Sequence, residues 1–234
     1  MSIYMKSLLT MVLLWGLGYG LMAQSFAPRI LDFSRKEVSF LTLKDGTEVA
    51  GYYQGGRRSK GLFKAITFED TTTGEKTRYD AEDIASMRLV ASGWGKFAAT
   101  SEGAGSLTRM QNTDFDALDR DYIYFEQARL PGKKERYVLL QLVNPGFDSK
   151  LKIFDDPRAA QTGGIAMGGV AMTGGNLKSY YVVRDGEAYL IKKGKYKKEF
   201  LNIYGNCAHL KQTFDKIKWL DFAEHVYAHE QHCE

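Results

Sequence analysis

The segment from Cys207 to Cys233 holds both cysteines of this 234-residue chain and all four of its histidines. In an oxidising compartment two cysteines usually form one disulfide. Pairing them would close a loop near the end of the chain and stabilise the fold by roughly 3–4 kcal/mol in the chain-entropy model. The alternative is a free, nucleophilic Cys207 assisted by His209. We expect the disulfide, which limits how the end of the chain can pack.

Apolar residues recur at helical spacing through residues 194–234, which predicts a helical tail. A short first helix ends at Gly205, Asn206 caps a second helix, and a third begins at about Trp219. The apolar positions of the second helix are Cys207, Leu210, Phe214 and Ile217, and those of the third are Phe222, Ala223, Val226 and Cys233. Both cysteines therefore face the seam between two helices, where a disulfide fits.

Three of the histidines, His225, His229 and His232, form a separate stripe on the third helix. Imidazoles three or four residues apart on a helix can share a metal ion. His225 and His232 are about 10 Å apart along a straight helix, so all three cannot reach one ion. A metal site would use one adjacent pair with a carboxylate such as Asp221 or with another chain. The alternative is surface histidines without a role, and we expect no other cofactor.

The N-terminus has the pattern of a secretory signal peptide, with Lys6 as the only charge before an apolar run. Cleavage near Ala23 would remove residues 1–23. The alternative is a permanent membrane anchor, but the run from Ser7 to Ala23 is only marginally long enough to span a bilayer. We expect a secreted, periplasmic or envelope protein whose mature chain has no transmembrane span.

Composition excludes some classes of partner. Without residues 1–23, 31 basic residues face 28 acidic ones, a net charge of +3. This balance does not predict a nucleic-acid partner. The chain contains no Gly-x-Ser-x-Gly, no His-Glu-x-x-His and no EF-hand loop. Whether it is an enzyme is therefore left open, with a non-enzymatic role favoured.

The rest of the chain predicts an α+β fold that is mainly antiparallel β. Residues 24–90 are expected to form a small barrel-like unit, in which Asp45-Gly46 joins the first hairpin and Gly55 to Gly61 is a flexible basic loop. Residues 91–120 read as an irregular linker. Residues 121–193 are expected to form a second unit of hairpins, followed by the helical tail at 194–234.

A glycine-rich repeat interrupts the second unit at residues 162–176. It carries four large apolar side chains among the glycines, Ile165, Met167, Val170 and Met172. One interpretation is a flexible apolar loop that inserts into a partner or into a membrane surface. The other is a glycine-rich strand pair or a loop without a role. It is not a phosphate-binding loop, because no Gly-Lys-Ser/Thr follows.

Basic residues cluster at three predicted turns. The clusters are Arg57, Arg58 and Lys60; Lys133 and Lys134; and Lys192, Lys193, Lys195, Lys197 and Lys198. Together they could form a surface for anionic glycans or lipid head groups. The alternative is that each is a solvated edge.

The first unit resembles small barrels of the Sm-like or SH3-like type. The residues that carry the resemblance are Leu43, Asp45, Gly46, Val49, Gly51, Asp83 and Ile84. It implies a barrel-like shape for residues 38–90, and no RNA-binding residue is carried over.

Most of the mature chain resembles a group of exported proteins of Bacteroidota-type bacteria that has no assigned activity. The segments that carry this resemblance are 139–147, 149–154, Ser179-Tyr180-Tyr181 and Tyr204-Gly205-Asn206-Cys207. We therefore expect a binding or interaction module of the cell envelope whose partner is a protein, a glycan or a lipid surface. The alternatives are a metal-dependent enzyme or metal-binding protein that uses the histidine stripe, and a structural or assembly protein of the envelope.

Overall fold

A computed structural model describes residues 24–105, 110–111, 113–130, 136–159, 165–167, 170–173, 177–184 and 186–233. The predicted signal segment 1–23 lies outside these residues, as do Lys133, Lys134 and all six glycines of the 162–176 repeat. Within the described ranges no helix is long and apolar enough to cross a membrane.

Twelve strands and four α-helices are described. The strands are β1 Val38–Leu43, β2 Glu48–Ser59, β3 Leu62–Asp70, β4 Lys76–Asp80, β5 Ile84–Leu89, β6 Ile123–Leu130, β7 Arg136–Gln141, β8 Lys152–Asp155, β9 Ile165–Met167, β10 Val170–Thr173, β11 Ser179–Arg184 and β12 Glu187–Lys192. The helices are α1 Gly93–Gly103, α2 Tyr196–Tyr204, α3 Ala208–Thr213 and α4 Phe222–His232, with short 3₁₀ turns at Asp116–Asp119 and Lys193–Lys195.

Ten strands form one mixed, mostly antiparallel open sheet. Its order is β4-β3-β2-β1-β5-β6-β12-β11-β8, and β7 pairs with β6 beside this path. The parallel contact is between β12 and β6, where Glu187 lies opposite Arg129. Strands β9 and β10 form a separate hairpin. The predicted α+β class, mainly antiparallel, is confirmed.

The first hairpin forms where the sequence predicts it. Gly46 has a φ of +88°, which a residue with a side chain rarely adopts. The carboxylate of Asp45 accepts a hydrogen bond from the backbone N–H of Thr47 at 2.9 Å, which holds the turn. The ladder then runs antiparallel from Val38 opposite Tyr52 to Thr42 opposite Glu48.

The expected flexible loop from Gly55 to Gly61 is instead mostly strand. Strand β2 continues to Ser59, and only Lys60 and Gly61 turn the chain into β3. A Cβ atom on Gly56 would lie 2.6 Å from the ring of Phe63. Glycine at this position therefore allows close packing of an aromatic ring, and the prediction of a loop was wrong for residues 55–59.

The first unit does not close into a barrel in the described residues. Strands β1 to β5 all form, but β5 pairs with β6 and so extends the sheet into the second unit. In the second unit an isolated bridge joins Leu142 to Phe154. The result is one open sheet that joins both predicted units.

Residues 91–120, expected to be irregular, contain α1 and the Asp116–Asp119 turn. The sequence did not predict this helix, because glycine and serine have low helix propensity. Its position depends on tertiary packing: Ala99 on its inner face is buried in the core of the first unit.

The helical tail covers the far end of the sheet, and its disulfide is confirmed. Cys207 and Cys233 are bonded, with their Cα atoms 5.6 Å apart. Helix α2 ends at Gly205, which has a φ of +62°, as predicted. The bounds of two helices differ from the prediction. Helix α3 begins at Ala208, so that Cys207 precedes it, and it ends at Thr213, before Phe214 and Ile217. Helix α4 begins at Phe222, three residues after the predicted start.

A buried asparagine shapes the Asn144-Pro145-Gly146-Phe147 turn between β7 and β8. The amide of Asn144 donates to the carbonyls of Phe147 and Leu151, both at 2.8 Å, and its oxygen accepts from Ile153 N–H at 2.8 Å. Asn144 is fully buried. Three backbone groups that the turn removes from water are therefore satisfied by one side chain.

Replacing Asn144 with Ala should lower the free energy of unfolding by about 2–4 kcal/mol, because three buried backbone groups lose their partner. Chemical denaturation measures the change. The exposed Asn202 supplies the matched control: Asn202→Ala should change stability by less than about 0.5 kcal/mol. Equal effects of the two substitutions would contradict this role of Asn144.

Replacing both Cys207 and Cys233 with Ser should lower the free energy of unfolding by about 3 kcal/mol, because the closed loop spans 26 positions. Denaturation of the oxidised protein, the reduced protein and the double variant measures this. Reduction should destabilise the unsubstituted protein and leave the double variant unchanged. A double variant as stable as the oxidised protein would contradict the stabilising role of the bond.

Candidate interaction surface and the C-terminal histidines

The start of helix α1 is held against the segment that precedes β1. The hydroxyl oxygen of Ser92 accepts a hydrogen bond from Gly95 N–H at 2.9 Å and so caps the helix. The same hydroxyl donates to the carboxylate of Asp32. A Cβ atom on Gly95 would collide with the carbonyl oxygen of Asp32. Glycine is therefore required where the helix meets this segment, and the contact sets which face of α1 points outward.

The outward face of α1 carries two large aromatic side chains. Trp94 is 61% exposed and Phe97 is 60% exposed, and their ring centroids are 5.4 Å apart. Burying side chains of this size is strongly favourable, so two adjacent exposed rings are unusual on a soluble surface. We call Trp94 and Phe97 the aromatic pair.

The glycine-rich hairpin lies beside this helix. Cα atoms of β10 and α1 approach within 8 Å. Ile165 and Met167 lie on β9, and Val170 and Met172 lie on β10, while their side chains are outside the described part of the structure. The repeat thus forms a strand pair, next to a helix that the sequence analysis did not predict.

The basic residues predicted for an anionic surface lie on different elements. Arg57 and Lys60 are exposed near the β2–β3 turn, but the guanidinium of Arg58 stacks 4.2 Å from the ring centroid of Phe63. Burial lowers the pKa of Arg58. Exposed positions Lys192, Lys193 and Lys195 surround the 3₁₀ turn before α2. Arg58 therefore packs against the sheet, and no described contact joins the two clusters.

Two of the three stripe histidines are buried, which contradicts their interpretation as surface residues. His225 is fully buried, and its Nδ1 lies 2.7 Å from the hydroxyl of Tyr196. That hydroxyl is also 2.8 Å from the hydroxyl of Tyr204. The Nε2 atom of His225 has no hydrogen-bond partner, and the ring of Phe214 lies 4.2 Å from the imidazole, centroid to centroid.

This packing determines the charge of the buried histidines. Burial lowers the pKa of His225 to about 4, so its ring is neutral near neutral pH. The pKa of His229 is also lowered, first by burial and then by the positive charges of Lys150 and Arg184. Both rings belong to the aromatic core between α2 and α4.

The histidine rings that meet at the surface are His209 and His232, with centroids 4.1 Å apart. Both rings, together with the two bonded cysteines, line an open groove between the tail and the β8–β11 edge. In the described ranges no group of three or more His, Cys, Asp or Glu side chains is arranged to hold a metal ion. The predicted arrangement, an adjacent pair from His225, His229 and His232 together with a carboxylate, is therefore not found among the described residues.

Acidification should destabilise the fold through His225. Its pKa is about 4 in the folded protein and near 6.5 when unfolded, so the unfolded chain binds the extra proton as pH falls between these values. Well above pH 6.5 the ring is neutral in both states, and His225 does not lower the free energy of unfolding. At pH 5 it should lower that free energy by about 2 kcal/mol. Denaturation midpoints measured between pH 7.5 and 5 test this.

The variant His225→Phe keeps an aromatic ring in the core and should lose most of this pH dependence. His232→Gln removes an exposed histidine of the same helix and serves as the matched control, which should retain it. An unchanged pH slope in His225→Phe would contradict the burial of a neutral imidazole.

Comparison of the chain with protein-family models, with curated proteins and with solved structures finds no match. The resemblances drawn from the sequence therefore remain predictions.

Proposed function

We propose that this protein is an exported, non-enzymatic binding module of the cell envelope. Its partner is an extended apolar segment of another envelope protein, which packs on the aromatic pair and along the glycine-rich hairpin. The observation that carries this proposal is the exposure of Trp94 and Phe97, 61% and 60%, on one face of α1. Two aromatic rings held outward by a capped helix are typical anchors of a protein interface.

The hairpin beside α1 supports a protein partner over a lipid or a glycan. Strands β9 and β10 pair with each other, and neither joins the main sheet in the described residues. Each strand therefore has a second edge at which backbone N–H and C=O groups can pair with an added strand. The two basic clusters within the described residues, which would favour anionic lipid or glycan, lie on other elements, around the β2–β3 turn and the Lys193–Lys195 turn.

Export is supported by two independent features. The first 23 residues have the composition of a secretory signal. The disulfide between Cys207 and Cys233 is the state that cysteines reach in an oxidising compartment. The resemblance to exported proteins of Bacteroidota-type bacteria agrees with both features. The histidine stripe does not favour a metal-dependent function, since His225 and His229 are packed in the core.

A photoreactive phenylalanine analogue at position 97 tests the proposal in the producing cell. One envelope protein should be cross-linked, and its yield should fall at least about fivefold when Trp94 is also changed to Ser, because the second anchor is lost. Deleting residues 162–176 should reduce the yield similarly and leave the thermal midpoint of the fold unchanged.

Leu201 supplies the matched control, because it is 58% exposed on α2, far from α1 in the sequence. The photoreactive residue at position 201, or Leu201→Ser with the probe at 97, should not reproduce these effects. Adducts of lipid or glycan would overturn the protein partner. Adducts of a second copy of this chain would indicate an assembly protein instead, and an absence of adducts would contradict a binding surface at α1.

A further inference from the structure

Two histidines of the helical tail lie side by side in the open groove. His209 is the second residue of α3, and His232 is the last residue of α4. Their ring centroids are 4.1 Å apart although they belong to different helices. His232 is exposed and His209 is partly exposed, whereas His225 and His229 are buried. A solute in the groove can therefore reach the first pair of rings.

The disulfide holds this pair together. Cys207 lies two positions before His209, and Cys233 directly follows His232. The bond keeps the Cα atoms of the two cysteines 5.6 Å apart, so the start of α3 and the end of α4 cannot separate. A ligand that binds both rings does not have to bring them together first, which lowers the entropic cost of binding.

The distance between the rings suits a shared metal ion. A bond from an imidazole nitrogen to such an ion is about 2.0–2.1 Å long. Two imidazoles on one ion then have centroids roughly 4.5 Å apart when the bonds meet at a right angle, and roughly 5.2 Å apart at a tetrahedral angle. The observed 4.1 Å is closer to the right angle, which is typical of Cu(II) and Ni(II). A small rotation of the two side chains covers the difference.

Each ring can present a nitrogen lone pair. Nε2 of His209 lies 3.2 Å from the hydroxyl oxygen of Thr213. When Nε2–H donates to this hydroxyl, the lone pair of the ring is on Nδ1, and ligating histidines usually make such a bond through their other nitrogen. In the part of the chain that the structure describes, the His232 ring contacts the His209 ring and has no described hydrogen bond. Rotation of this exposed ring about χ2 presents either nitrogen.

The end of α4 has an electrostatic preference for cations. Its last carbonyls form the negative end of the helix dipole. The ammonium of Lys150 donates to the carbonyl of Glu230 at 2.9 Å and to that of Cys233, so this helix end already attracts one positive charge. The charge of Lys150 opposes a metal ion, but the Glu230 carboxylate, which accepts from Lys150 N–H at 3.0 Å, counters it.

The other charges of the groove select the class of metal. Of the described residues that line it, Asp148 alone carries a carboxylate. Lys152 lies 2.7 Å from the carboxylate of Glu126, and Arg184 donates to the carbonyl of Asn202 at 2.9 Å. Ca²⁺ and Mg²⁺ need several oxygen ligands, so the groove does not suit them. Imidazole nitrogens suit copper, nickel and zinc, and the nearby cations keep the expected affinity moderate.

We propose that His209 and His232 form a two-histidine site for a divalent transition metal, which the disulfide assembles. Cu(II) binds more tightly than Zn(II), because it leads the general order of affinity and accepts bonds at a right angle. The other positions on the ion are open to water or to a ligand from another molecule. This site is separate from the proposed partner surface, because neither the aromatic pair nor the glycine-rich hairpin contributes a residue to it.

Calorimetric titration of the oxidised, untagged protein with CuCl₂ and with ZnCl₂ tests the site. One Cu(II) per chain should bind with a Kd on the order of 10 µM, weaker than four-ligand sites because half of the ligands are present. Zn(II) should bind at least about fivefold more weakly. Electron paramagnetic resonance of the copper complex should show two nitrogen ligands. Tighter binding of Zn(II) would overturn the preference for copper, and no saturable binding of either ion would overturn the site.

Single substitutions locate the ligands. His209→Gln and His232→Gln should each weaken Cu(II) binding at least about tenfold, because each removes one of two ligands. His225→Phe is the matched control: it removes a buried histidine of the same tail and should change the Kd by less than about twofold. Copper binding that survives both glutamine substitutions would overturn the assignment.

Replacing both Cys207 and Cys233 with Ser tests the role of the disulfide. Copper binding should weaken at least about tenfold although both histidines remain, because the two helix ends are no longer joined. Serine also removes the thiols, which would bind the ion themselves in reduced protein. Unchanged affinity in this variant would overturn the role of the bond. The two glutamine variants keep the disulfide, so they decide the site even if the double variant folds poorly.

Discussion

The lead-in from Ser25 to Phe33 ties the two halves of the molecule together. Phe26 is buried in the helical core, while Ile30 and Phe33 are buried in the core of the first unit. Between them, Arg29 forms its buried ion pair with Asp155. Removing an arginine from water is costly unless it is paired, so this contact specifies where the lead-in crosses the sheet.

A second buried side chain holds the same segment. The amide of Gln141 donates to the carbonyl of Pro28 at 2.9 Å, and its oxygen accepts from the N–H of Ile30 at 3.0 Å. The lead-in thus obtains hydrogen bonds without becoming a strand at this point. Helix α1 is in turn positioned by Asp32, at the end of the lead-in. The outer aromatic pair and a cavity of about 90 Å³, which lies between this segment and the end of α1, both depend on this one extended segment.

Glycine has two structural roles in this fold, and the sequence pattern did not distinguish them. At Gly46 it allows a positive φ in a turn, and the pattern Asp-Gly between two β-rich runs identifies it. At Gly56 and Gly95 it makes room, for the ring of Phe63 and for the Asp32 carbonyl. In both cases the group that a side chain would collide with belongs to another segment of the chain. Both stretches were therefore interpreted as loop, although one is strand and the other is helix.

The histidine stripe shows the same limit. Periodicity placed His225, His229 and His232 on one helix, but it could not tell which neighbours would cover them. The hydroxyls of Tyr196 and Tyr204 bring hydrogen-bonding capacity from α2, which lets His225 be buried. His209 and His232 meet because the disulfide draws α3 towards the end of α4. Neither the contact of His225 with the tyrosines nor that of His209 with His232 can be recognised from the local spacing of residues in the sequence.

The sequence by itself determined the features that depend on near neighbours. These are the hairpins, the mainly antiparallel α+β class, the Gly205 stop and the pairing of the only two cysteines. The tertiary structure alone decided that both β units share one open sheet, that α1 exists, and that a charged, aromatic cavity forms behind it. The reason is that burial and ion pairing join segments such as Arg29 and Asp155, 126 positions apart, and no local propensity encodes such a contact.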